Sequence, residues 1–102
     1  MHARVLHFKI QAGKLQDFQS AAESVRPQIR RQRGFRAIVV LQTAERPQPE
    51  ATVISVWDSF EDLKTSEKNM FLYQALSRVL GFCDGFPTIR EHEVLVSEFA
   101  AD

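Results

Sequence analysis

The chain has 102 residues, 44% hydrophobic and 25% charged, which is the composition of one globular domain over residues 1–102 and leaves too little for two. Thirteen basic residues balance thirteen acidic ones, so the basic excess needed for general nucleic-acid binding is missing. Cys83 is the single cysteine and has neither a disulfide partner nor metal-ligand spacing. With no apolar N-terminal run of the signal-peptide kind and no segment long enough for a bilayer, a cytoplasmic protein without membrane contact is expected.

Residues 3–10 read as a first strand, with Leu6, Phe8 and Ile10 on one face and Val5, His7 and Lys9 on the other. A turn over residues 11–14 leads into an amphipathic helix over residues 14–31. Leu15, Phe18, Ala22, Val25 and Ile29 recur at spacings of three and four. Pro27 falls inside that pattern and predicts an interruption near residues 23–26. A second strand over residues 35–42 is apolar almost throughout, the pattern of burial on both faces. Residues 43–50 contain Pro47 and Pro49 and read as a loop.

The third strand, residues 51–58, alternates up to Trp57. Ser59, with Asp62 three residues on, has the form of a helix cap. A short helix to about residue 65 is followed by a second over about 69–82, whose expected apolar stripe is Met70, Tyr73, Leu76, Val79 and Leu80. Gly81, Gly85 and Pro87 break the chain before a last strand over residues 88–99.

The order βαββαβ is the split-βαβ, ferredoxin-like arrangement, an α+β fold with helices on one face of an antiparallel sheet. Val5, Ile38, Val40, Ile54, Val56, Val94 and Val96 are then expected on the uncovered face. An apolar patch of that size predicts a homodimer through sheet-face packing.

Several local patterns occur together in this order. They are Gly13-Lys14 before the first helix, Gly34-Phe35 entering the second strand, the segment Val53-Ile54-Ser55-Val56-Trp57-Asp58-Ser59, and Pro87 before a strand reaching Val94. Over essentially its whole length the chain resembles the antibiotic biosynthesis monooxygenase family. The resemblance implies a dimeric α+β barrel. The family includes cofactor-independent oxygenases of polyphenols and quinols, haem-degrading enzymes, and proteins with no assigned activity. In the oxygenases the substrate supplies the reducing electrons, and the protein contributes an apolar pocket with one or two polar groups. The haem-degrading members use an Asn, a Trp and a His at positions that correspond here to Leu6, about Ser66 and about Leu76, so haem degradation is not expected. The polyketide oxygenases pair the strand Trp with an Asn four residues earlier; here Trp57 is kept and that position is Val53.

The resemblance therefore implies a cofactor-independent monooxygenase acting on a small planar phenol or quinol, with no cofactor and no metal. The alternative is a non-catalytic small-molecule-binding or structural dimer of the same fold. Trp57, Tyr73 and Arg78 are the catalytic candidates. Trp57 either stacks on a planar substrate as a pocket wall or anchors the core. Tyr73 can orient a substrate oxygen and Arg78 pair with a phenolate, or both belong to an ordinary amphipathic helix. Leu6, Phe8, Ser55 and Leu76 are expected to line the binding pocket for the small aromatic molecule. His7 and His92, on neighbouring strands, read either as acid–base groups or as hydrogen-bonded structural histidines. The five arginines between Arg26 and Arg36 read either as a phosphate site or as cations favoured at a helix C-terminus, their stems over apolar surface, with ion pairs to Glu91, Glu93 and Glu98 as a further expectation.

Overall fold

The computed structural model describes residues 1–44 and 48–100, without the side chains of residues 43 and 44. Part of the expected loop, residues 45–47, lies outside the described residues. The elements are β1 (His2–Lys9), α1 (Leu15–Glu23), α2 (Arg26–Ile29), β2 (Phe35–Ala44), β3 (Glu50–Trp57), α3 (Phe60–Lys68), α4 (Phe71–Val79) and β4 (Thr88–Glu93). A 3₁₀ turn, Leu80–Phe82, follows α4. The four strands form one antiparallel sheet in the order β2-β3-β1-β4, the ferredoxin-like arrangement.

The helices form where the sequence patterns place them. Pro27 has no N–H for the carbonyl of Glu23, and the long amphipathic segment divides into α1 and α2 at residues 24 and 25. Ser59 caps α3 by accepting the Asp62 backbone N–H at 3.1 Å. The helices cover the sheet face that carries Leu6, Phe8, Ala51, Val53 and Trp57, all buried. One core cluster joins Leu6, Phe8, Phe18, Leu72 and Leu76, and a second joins Val25, Ile29, Trp57, Leu63 and Phe71. Each such side chain contributes about 1.5–3 kcal/mol by leaving water.

Four sequence expectations are corrected. Ile38 and Val40 lie on the helix side, opposite Ser55 and Val53. The cause is a bulge: Phe35 pairs with Trp57, Arg36 is skipped, and Ala37 pairs with Val56. One inserted residue reverses the facing of the whole following strand. The uncovered face therefore carries Ala37, Val39 and Leu41 from β2, with Ile54, Val56 and Val5 opposite or beside them.

The last strand ends at Glu93 and not at Phe99, because its partner runs out: His2 pairs with Glu93, and the Val94 N–H reaches the Met1 carbonyl. Leu95 and Val96 beyond it are 88% and 91% exposed. On α4 the buried stripe is Phe71, Leu72, Leu76 and Val79, while Met70 and Tyr73 are half exposed. The arginines pair with Glu23, Asp58 and Asp62, through Arg26, Arg36 and Arg33, instead of with the late glutamates.

Candidate functional site

Two adjoining cavities lie between the sheet and the helices. The larger, about 570 Å³, opens between α1–α2 and the edge strand β2, a volume in the range of small-molecule sites. Leu15, Phe18, Ile29 and Phe35 are among its apolar lining residues, and Gln19, Glu23, Arg26 and Arg30 among its polar ones. The smaller, about 70 Å³, lies deeper, under α4. Phe18, Ala22, Ile29, Ile38 and Val40 line both. The β2 bulge makes this possible, since it turns Ile38 and Val40 inward.

Leu6, Phe8, Ser55 and Leu76 line the inner cavity together. Trp57, Tyr73 and Arg78 line neither cavity. Trp57 is fully buried, packed edge-on against Phe35 at 5.8 Å, and gives its indole N–H to Ser55 Oγ at 3.0 Å. It stands in the core of the domain. Tyr73 is half exposed on α4. Arg78 donates to the Ser24 carbonyl at 2.8 Å and to Ser24 Oγ at 3.2 Å, tying α4 to the end of α1.

The charged residue that does reach the inner cavity is Arg4, 1% exposed. Its Nη2 donates to the Leu63 carbonyl and to Ser66 Oγ, both at 2.9 Å, and stands 3.5 Å from Glu67 Oε1. The guanidinium lies 5.7 Å from the centre of the Trp57 ring. Burial pushes its pKa down and the carboxylates of Glu67 and Glu91 push it back up; an arginine stays protonated under both. Its Nε is buried and has no hydrogen-bond partner among the described residues. Strand alternation carried the signal for this residue: Arg4 has the parity of Leu6, Phe8 and Ile10 and so had to point at the helices.

His7 and His92 lie on the opposite sheet face, away from both cavities. His7 bonds Thr52 Oγ1 through Nδ1 at 3.1 Å and Glu50 Oε1 through Nε2 at 2.6 Å. His92 is exposed opposite Ala3. The Cys83 thiol is buried and donates to the Val79 carbonyl; burial first, then Asp84, push its pKa up, which keeps it a poor nucleophile. Among the described residues no three His, Cys, Asp or Glu side chains come together as a metal site. No helix of the described residues is long and apolar enough to cross a membrane.

The strand order, with the helices on one face of the sheet, defines a ferredoxin-like α+β domain. The family model for antibiotic biosynthesis monooxygenase matches residues 1–70, and the chain belongs to that family. Among solved structures it is similar to a putative antibiotic biosynthesis monooxygenase from Nitrosomonas europaea (TM-score 0.77, 14% identity, 94% of this chain and 100% of that one). It is also similar to one from Bordetella bronchiseptica (0.76, 17%, 93% and 97%). A third similar structure is SnoaB, a cofactor-independent oxygenase from Streptomyces nogalater (0.76, 12%, 94% of each chain). No curated protein sequence matches.

Proposed function

We propose that this chain is a cofactor-independent monooxygenase acting on a small planar phenol or quinol. The observation that carries the reading is the adjoining of a roomy cleft of mixed apolar and polar lining and a mostly apolar cavity that contains two polar side chains, Arg4 and Ser55. A flat aromatic body fits the cleft walls, and its oxygen leads inward. Ser55 Oγ accepts from Trp57 and keeps its own hydrogen to donate. Oxidation by dioxygen then needs no added reductant. The phenol loses two hydrogens and gains one oxygen atom, leaving as a quinone, and the second oxygen atom leaves as water with those hydrogens.

Similarity to a cofactor-independent oxygenase supports this reading. A non-catalytic binder of the same ligands is favoured by one feature: Trp57, the aromatic expected at the reacting centre, is closed into the core. Oxygen uptake separates the two. Purified protein in chelator-treated buffer, offered small hydroquinols and naphthols, is expected to consume oxygen and release quinone in equal amounts. Saturable binding of the same compounds with no oxygen uptake would establish the binder. We further propose that the chain works as a homodimer joined through the face bearing Val39, Leu41, Ile54 and Val56.

A further inference from the structure

The charged side chains that line the outer cleft are Glu23, Arg26 and Arg30. Two of them satisfy each other, since Arg26 Nη1 stands 3.0 Å from Glu23 Oε2. The third is left over: the Arg30 side chain has no ion pair and no hydrogen bond among the described residues. Arg30 follows Arg26 by four positions on a helical backbone, φ −59° and ψ −26°, so the two share one side of α2. Arg30 is exposed and yet lines the cleft, which puts it where the cleft meets solvent. The pull of a helix C-terminus on cations accounts for an arginine near this position. It accounts equally for Arg31, which does not line the cleft, and so leaves the placing of Arg30 unexplained.

We infer that the outer cleft selects an aromatic carboxylate, with Arg30 receiving the carboxylate at its mouth. The ring body lies against Leu15, Phe18, Ile29 and Phe35. A guanidinium meets a carboxylate with two parallel N–H donors, which fixes direction as well as sign. Held at the mouth, the carboxylate keeps part of its hydration while the apolar body leaves water, so no charge is buried. The empty site carries no penalty either, because a solvated arginine needs no counter-ion. The inference rests on the reading of the cleft as a site for a planar aromatic and adds a charged substituent to that ligand.

The probes are 2-naphthoate and 2-naphthamide, which share a ring system and differ in charge. Calorimetric titration at neutral pH and low salt is expected to show the carboxylate binding roughly 3–10-fold tighter than the amide, the scale of a charged contact at a wet site. Added salt should shrink that ratio. Arg30→Gln, a change on an exposed side chain, should bring the ratio to about one and leave amide affinity unchanged. Arg31→Gln makes the same change of charge outside the cleft and should keep the preference. Equal binding of the two probes, binding of neither, a preference that survives Arg30→Gln, or an equal loss in Arg31→Gln overturns the inference. Amide binding with no carboxylate preference leaves the cleft as an aromatic site and removes only the role of Arg30. A carboxylate preference without oxygen uptake from any quinol keeps Arg30 in this role and removes the oxygenase.

Discussion

Trp57 donates its indole N–H to the hydroxyl of Ser55, two residues earlier on the same strand face, at 3.0 Å within the core. The pair links the core to the inner cavity, because Ser55 lines that cavity and Trp57 does not. Ser55→Ala leaves a buried N–H unpaired and is expected to cost about 1–3 kcal/mol. In a domain of this size each kcal/mol lowers the melting temperature by roughly 4–8 °C. Trp57→Phe removes the donor and some volume. The double variant should cost less than the two single changes added, since neither then orphans the other. Strict additivity in thermal melts would show the hydrogen bond to be energetically idle.

The fold was legible in the sequence because its periodicities are local. Apolar spacing in α1, the Pro27 interruption and the Ser59 cap each act within one turn of chain. What escaped depends on partners distant in sequence. The bulge at Arg36 is visible only in the pairing with β3, and it exchanges Ile38 and Val40 for Val39 and Leu41 on the outer face. The end of β4 is set by where β1 begins. In the candidate site, the apolar lining residues Leu6, Phe8 and Leu76 followed from alternation and helical spacing. Trp57 was ambiguous, because an aromatic at a strand end reads alike as core or pocket. At Arg4 strand parity points inward, while the charge of an arginine, a residue type mostly exposed, points outward, and parity wins.

Two residues share a left-handed backbone and should respond in opposite ways. Gly34 has φ 78° and Met70 has φ 70°. At Gly34 an added Cβ would collide with the Asp62 carboxylate. Gly34→Ala is therefore expected to destabilise by about 2 kcal/mol, from the backbone penalty together with the collision. Met70 is half exposed and precedes α4, where Asn69 Oδ1 accepts the Phe71 N–H. Met70→Gly relieves the strain without emptying the core and is expected to stabilise by roughly 0.5–1 kcal/mol. Urea unfolding of both variants checks the two signs together.

The outer sheet face gives a prediction about assembly. Val39 and Leu41 are about half exposed there, beside Ile54 and Val56. A stable interface on this face needs more than about 1,000 Å² of buried surface. Wild-type protein is expected to sediment as a dimer at micromolar concentration. Ile54→Lys places a charge in the middle of the face and should give a folded monomer with an unchanged circular dichroism spectrum. A wild-type monomer, or a variant that stays dimeric, would exclude sheet-face packing.

Alkaline pH should lower the stability in two steps with identifiable origins. The hydrogen bond from Lys64 Nζ to Glu91 Oε1, at 2.5 Å, raises the lysine above its ordinary range. Burial raises the Cys83 thiol likewise. In both cases the folded chain holds the proton more tightly than the unfolded chain. Each contribution to stability is thus complete below the unfolded pKa and is lost as pH rises through the folded one. The ordinary values are about 8.5 for a thiol and about 10.4 for a lysine, so Cys83 acts first and Lys64 at higher pH. Cys83→Ala should start from a lower melting temperature, because a buried sulfur is removed, yet fall less steeply in the first stage. Lys64→Met should follow wild type through that stage and fall less steeply in the second. Melting temperatures across the alkaline range, taken as differences from wild type, cancel the other titrating groups. A Lys64→Met curve parallel to wild type at the highest pH would show that the bond to Glu91 contributes nothing to stability.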